Sequence, residues 1–179
     1  MSLILIRHTR PAVGRDVCYG RTDVGLDDNF EQEARRIATS LDRIDVLATS
    51  PLSRCRRLAE LIGQTHGVEP SIDPRLQEMD FGRWEGRKWS DIPRDQLDAW
   101  AGDFFSARPH GGESVAMVRD RAIKAVRAYR DLEQRCVLVT HAGFIRVVLA
   151  DGDEPESFNT KIGYGECIPW PRNTETDDE

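Results

Sequence analysis

Two histidines in this chain follow directly on short apolar runs. Leu3-Ile4-Leu5-Ile6 leads into Arg7-His8, and Cys136-Val137-Leu138-Val139-Thr140 leads into His141. A neutral imidazole can attack phosphorus as a nucleophile, and it titrates near neutral pH. An arginine beside it offers a planar fork that matches two phosphate oxygens at once. Arg7 adjoins His8, and Arg54 comes shortly after a further apolar segment, Asp45 to Thr49. Two imidazoles and two guanidiniums brought to one place would form a phosphoryl-transfer centre. A single histidine at a strand end is more often a satisfied polar residue, so only the four together make the case.

The elements that must position them follow from the hydrophobic pattern. Continuous apolar runs without alternation are the mark of strands buried on both faces, as in a parallel sheet. In an open α/β sheet the ligand site lies at the carboxyl ends of such strands, which is where both histidines fall. Between the first strand and the next element lies a long loop, Arg10 to Asp28, with Gly14, Gly20 and Gly25. A loop of that length inside a compact domain tends to be functional. Phe30, Ala34, Ile37, Ala38 and Leu41 mark a helix face, and Asp45 to Thr49 a second strand. Ser50-Pro51 has the look of a helix start, with Ser50 as N-cap and Pro51 in the first turn, and Leu52, Cys55, Ala59 and Ile62 facing inward.

A third strand is expected over Pro70 to Asp73, then a loop from Leu76 to Gly86 that carries Glu78, Asp80, Gly82 and Glu85. Asp91 to Phe105 suggests short helices, either a cap over the site or a plain second core. Gly111-Gly112-Glu113-Ser114 opens a long helix in which Val115, Val118, Ala122, Ala125, Val126, Tyr129 and Leu132 keep the helical period. A helix from Phe144 to Ala150, a turn near Glu156 and a strand from Cys167 to Trp170 follow. Strand and helix alternate, so the expected fold is a three-layer α/β/α sandwich with a mostly parallel central sheet. One domain is expected over residues 1–172, with an acidic, disordered tail over 173–179.

The bulk properties narrow the function. A net charge of -6 argues against a broad nucleic-acid or membrane surface, though a local cationic pocket remains compatible with it. The cysteines Cys18, Cys55, Cys136 and Cys167 are scattered, and neither they nor the histidines are grouped as metal ligands. Cys55 and Cys136 fall inside apolar patterns and read as core residues. No signal-peptide pattern and no segment of membrane-spanning length is seen, so a cytoplasmic protein is expected.

The same residues carry a family resemblance. Leu5-Ile6-Arg7-His8-Thr9 resembles the Arg-His-Gly signature of the histidine phosphatase superfamily, also called phosphoglycerate mutase-like. Ser50-Pro51-Leu52-Ser53-Arg54-Cys55 is similar to its second arginine motif, and Leu76 through Gly86 to its acid-bearing loop. Gly111-Gly112-Glu113-Ser114 and Val139-Thr140-His141-Ala142-Gly143 match its later motifs, in family order and over nearly the whole chain. The resemblance implies that His8 is the nucleophile and becomes phosphohistidine. Arg7, Arg54 and His141 would hold the phosphoryl oxygens. Glu78 would give a proton to the leaving oxygen, with Asp80 as its competitor. Charge neutralisation and positioning supply most of the catalysis of phosphoryl transfer, so the arginines would stand in for a metal and no cofactor is implied. His8 must be neutral to attack, with its other ring nitrogen fixed by a carbonyl.

Departures from the family pattern sharpen this. Thr9 and Arg10-Pro11 replace the commoner Gly-Glu-Thr or Gly-Glu-Ser, and Gly14 stands where many members have a phosphate-contacting Asn. Ala142 follows His141 in place of the Asp found in the acid phosphatase and phytase branch. The short chain favours a phosphatase over a cofactor-dependent mutase. Val17 to Val24, after Arg-His-Thr-Arg-Pro, looks most like bacterial α-ribazole phosphatases, which remove the 5′-phosphate of α-ribazole phosphate in cobalamin assembly. Arg21, Trp84 and Trp100 are then candidates for contacts with the leaving group, packing roles being their alternative. Phosphoglycerate mutation and broad sugar-phosphate hydrolysis stay open, as does a non-catalytic phospho-ligand binding module. The expected partner is a small-molecule phosphomonoester.

Overall fold

The apolar runs do form the centre of a sheet. In a computed structural model that describes residues 2–170, five strands and five α-helices alternate: β1 (Ser2–Arg7), α1 (Phe30–Ser40), β2 (Val46–Thr49), α2 (Ser53–His66), β3 (Ser71–Ile72), α3 (Arg94–Gly102), α4 (Val115–Arg130), β4 (Arg135–Thr140), α5 (Ala142–Leu149) and β5 (Cys167–Trp170). The domain end at residue 172 and the acidic segment 173–179 lie outside the described residues. The strand order is β3-β2-β4-β1-β5. All neighbours are parallel except β1 and β5, which are antiparallel. The architecture is the expected α/β/α sandwich.

Side chains alternate across the sheet and build a core on each face. Leu3, Leu5, Cys136 and Leu138 pack with α4 and α5. Ile6, Val137 and Val139 point the other way, into α1 and α2. Cys55 and Cys136 are buried as expected, and all four cysteines are free thiols. The segment around α3 builds a smaller core of its own, in which Trp84, Cys18 and Ile92 pack with Phe81, Trp89 and Trp100.

Two local expectations are corrected. Ser50 does not cap α2, which begins at Ser53 with Leu52 at the N-cap position. The long helix α4 is capped by Ser114, whose side chain accepts from the Met117 amide at 3.2 Å, but it ends at Arg130. Leu132 lies beyond its end and is half exposed, just before Glu133 takes a left-handed backbone conformation. The periodicity ran two residues past the point where the chain turns.

Candidate active site

Register brings the two histidines together. Arg7 pairs with Thr140 across β1 and β4, so the next residue of each strand is a histidine. The His8 amide donates to the Thr140 carbonyl at 3.0 Å, and the imidazole centroids stand 5.1 Å apart, edge to face. Both rings are buried. His8 Nδ1–H donates to the Thr9 carbonyl at 2.6 Å, which leaves the Nε2 lone pair as the reactive one. Burial, then the Arg54 charge, push the His8 imidazole down to about 3; the Thr9 carbonyl opposes this and Arg7 adds to it. His141 is held well below the usual histidine value, again by burial first and Arg54 second. Both imidazoles are therefore neutral at physiological pH.

The two arginines arrive as the sequence suggests, and neither meets a carboxylate within 4.0 Å among the described residues. Arg54, fully buried, donates to the carbonyls of Gly20 at 2.6 Å and Thr22 at 2.9 Å. Arg7 donates to the Ile162 carbonyl at 2.6 Å. Nε of each is buried without a partner. Charges that are desolvated and left unneutralised make a strong anion site.

Two tyrosines complete this half of the site. Tyr164 stacks its ring 3.7 Å from the Arg7 guanidinium carbon, and Tyr19 lies 5.4 Å from that of Arg54. Their hydroxyls are 3.3 Å apart. Tyr164 reaches this position because the turn before β5 folds back on the end of β1, where the Gly165 amide donates to the Arg7 and His8 carbonyls. Its place depends on the antiparallel return of β5, and no motif marks it.

Glu78 stands opposite. Its Oε2 accepts from the Gly143 amide at 3.0 Å and its Oε1 from the Met79 amide at 2.9 Å. The approach is close enough that a Cβ on residue 143 would lie 2.2 Å from Oε1, so a side chain there would push the Glu78 carboxyl aside. Asp80 takes the Gly82 amide instead and does not line the cavity.

A cavity of about 460 Å³ opens on these groups. Arg7, His8, Tyr19, Glu78 and Gly143 form its reactive end, and Phe81, Trp100, Phe104, Phe158, Val118 and Val147 much of the rest. Arg54 and His141 are fully buried beside His8 and do not form its wall. His141 Nε2 and the Ser50 hydroxyl are hydrogen-bonded at 2.8 Å, the use to which Ser50 is put in place of capping. Trp100 lines the cavity, whereas Trp84 is enclosed in the small core with its Nε1–H on Gln96 at 2.8 Å. Arg21 does not line it either: its guanidinium lies 3.0 Å from Glu113 and 3.9 Å from Asp80.

This geometry agrees with what the chain resembles. The profile of the histidine phosphatase superfamily, branch 1, matches residues 3–162. The chain belongs to that superfamily. A Cronobacter sakazakii protein named "Probable phosphoglycerate mutase GpmB" is 32% identical over 151 residues, covering 79% of this chain and 69% of that protein. The solved phosphoglycerate mutase of Thermus thermophilus superposes with a TM-score of 0.74 at 32% identity, covering 96% of this chain and 95% of its own. The α-ribazole phosphatase of Shigella flexneri superposes with a TM-score of 0.82 at 27% identity, covering 94% and 89%. As a histidine phosphatase the chain is a phosphatase enzyme. Relatives named for different reactions share its fold and leave the substrate to be argued from the cavity. Among the described residues no helix is long and apolar enough to cross a membrane.

Proposed function

We propose that this histidine phosphatase hydrolyses a small phosphomonoester through a phosphohistidine at His8. One observation supports this most directly: the His8 imidazole is fixed by Thr9, neutral, and set beside the fully buried guanidinium of Arg54 and the half-buried one of Arg7, neither of which a carboxylate neutralises among the described residues. His8 Nε2 attacks phosphorus, and the ester P–O bond breaks as Glu78 gives its proton to the departing oxygen. The resulting carboxylate then takes a proton from water as that water attacks the phosphohistidine. The P–N bond breaks, inorganic phosphate leaves, and His8 and Glu78 return to their starting forms. Arg7, which lines the cavity, neutralises the phosphoryl oxygens throughout and offers its free Nε–H as an additional donor, while Arg54 adds its buried charge from behind the wall.

The aromatic wall favours an alcohol with a flat or apolar body, and α-ribazole 5′-phosphate is the substrate we infer. A cytoplasmic role in cobalamin assembly is part of the same reading. A second reading rests on Arg146. It lines the cavity one helical turn beyond Gly143, spends only its Nε on the Thr160 carbonyl among the described residues, and so has a fork to offer to a carboxylate. That would suit phosphoglycerate or an acidic sugar phosphate. A panel of α-ribazole 5′-phosphate, 3-phosphoglycerate and neutral sugar phosphates, scored by kcat/KM, decides between them. Preference for the first supports the main reading, and preference for the second with isomerisation as product removes it. Retention of activity by His8→Ala would overturn the mechanism itself.

A further inference from the structure

The charged groups left over near the site converge on the loop that carries Glu78. Arg121, on α4, donates from Nη1 to the carbonyls of Arg75 at 2.8 Å and Gln77 at 2.7 Å, and from Nη2 to the carbonyl of Glu78 at 2.9 Å. Glu113 grips the same guanidinium from its other edge, with Oε1 3.0 Å from Nε and Oε2 2.9 Å from Nη2. Glu113 also takes the Asp80 amide at 3.1 Å, and its own amide donates to the Asp80 carbonyl at 2.8 Å. The main chain is therefore held on both sides of the acid. Both side chains of the pair are largely buried. Against the opposing effect of burial, Arg121 keeps Glu113 below the usual carboxylate range, so it stays ionised.

Arg21 extends this network towards the nucleophile. Its Nη2 lies 3.0 Å from Glu113 Oε1. The neighbouring carbonyls of Gly20 and Thr22 are the ones that hold Arg54. The approach is tight here too: a Cβ on Gly20 would fall 1.9 Å from the Met79 carbonyl oxygen. Glu85 stitches the same two loops by accepting the amides of Arg21, Thr22 and Phe81.

We propose that the Glu113–Arg121 pair is a positioning device for the acid, setting where the Glu78 carboxyl stands relative to the leaving oxygen, and that Arg21 couples this setting to the loop that holds Arg54. The proposal rests on the reading of Glu78 as general acid. Neither Glu113 nor Arg121 lines the cavity, so neither touches the substrate and both are positioning residues.

The test is the dependence of kcat/KM on the leaving group, from p-nitrophenyl phosphate through phenyl phosphate to a simple alkyl phosphate. A nitrophenolate departs without a proton, whereas an alkoxide needs one, so only the second kind of substrate reports on the acid. Glu78→Gln sets the reference, with a loss that grows as the leaving group becomes more basic. For Glu113→Gln and Arg121→Lys we expect about 10- to 100-fold loss on the alkyl phosphate while p-nitrophenyl phosphate stays within about threefold, with KM little changed. A merely structural role would lower the whole series alike. An equal loss across the series, or none, overturns the proposal. If Glu113→Gln does not fold, Arg121→Lys carries the test, because it keeps a charge opposite Glu113 and loses only the fork. A Glu78→Gln enzyme with no leaving-group dependence would instead remove the acid assignment, and the positioning role with it. A normal Glu78→Gln reference beside flat Glu113 and Arg121 variants removes the positioning role alone.

Discussion

The nucleophile and the acid face each other across one cavity, yet they are held in place by different means. His8 and His141 sit at the ends of neighbouring parallel strands, and the ladder that pairs Arg7 with Thr140 fixes them before any side chain is considered. Glu78 sits on a loop with no ladder, and its main chain is held by side chains, chiefly Arg121 and Glu113. Placement by register is shared over many backbone hydrogen bonds and survives single substitutions. Placement by a few ionic hydrogen bonds does not. The acid half of the site should therefore be the more easily detuned, and the nucleophile half the more easily emptied without disturbing its frame.

The strongest test of that contrast is His8→Ala. Turnover should fall at least about 10⁴-fold, the scale on which loss of a covalent nucleophile is felt, with no phosphoenzyme trapped on acid-free quenching. The melting temperature should hold or rise, because the frame does not rely on the ring. A collapse in thermal stability would mean that His8 is itself part of the frame. Gly143→Ala probes the other half. The new Cβ would displace the Glu78 carboxyl, the free end of a flexible side chain, so stability should change by less than about 1 kcal/mol. Activity on alkyl phosphates should drop about 10- to 100-fold. Crystal structures or kinetics showing an undisturbed acid would break the comparison.

Acid pH gives a smaller and more gradual signal. His8, held down to about 3, and His141, also depressed, refuse protons that the unfolded chain accepts below about 6.5. Their contribution to stability is level above that value and declines as pH falls through the window between about 6.5 and 3. Melting temperatures taken between pH 7.5 and 4.5 should thus decline more steeply for the wild type than for His8→Gln, and parallel curves would refute the assignment. Ser50→Ala should have the smallest effect on turnover. It leaves the buried His141 Nε2 with only the weaker Cys55 thiol, 3.4 Å away, at a cost of about 1 kcal/mol in chemical denaturation, while phosphate transfer slows only a few-fold. A loss as large as that of His8→Ala would show that the hydroxyl takes part in the chemistry.

Much of this contrast was legible in the sequence, and unevenly so. The strand-end half was readable because buried parallel strands announce themselves as apolar runs, and Arg7, His8, Thr140 and His141 lie where those runs stop. The other half was not, because side-chain networks leave no period. Gly111 to Ser114 could be read as leading into a helix, and it does, with Ser114 as the cap, yet nothing local tells that the Glu113 carboxylate turns back to Asp80 and Arg121. Arg21 was expected at the substrate from the likeness of Val17 to Val24 to the α-ribazole phosphatases; its charge is used on Glu113 instead. Ser50-Pro51 has the composition of a helix cap, and only the arrival of His141 from a distant strand gives the hydroxyl another partner. Trp84 and Trp100 look alike in sequence, but only Trp100 lies at the boundary between the small core and the cavity.

The place of β1 in the sheet bears on how the enzyme is made. It precedes every other described strand in the chain, yet both of its neighbours, β4 and β5, belong to the last part of the described chain. At about 5–20 residues per second, synthesis of the stretch between β1 and β4 takes roughly six seconds or more. During that interval Leu3 to Ile6 is an apolar strand with two open edges, the kind of segment that nascent-chain chaperones shield. The nucleophile is translated well before His141, and it becomes reactive only once β4 has paired with β1.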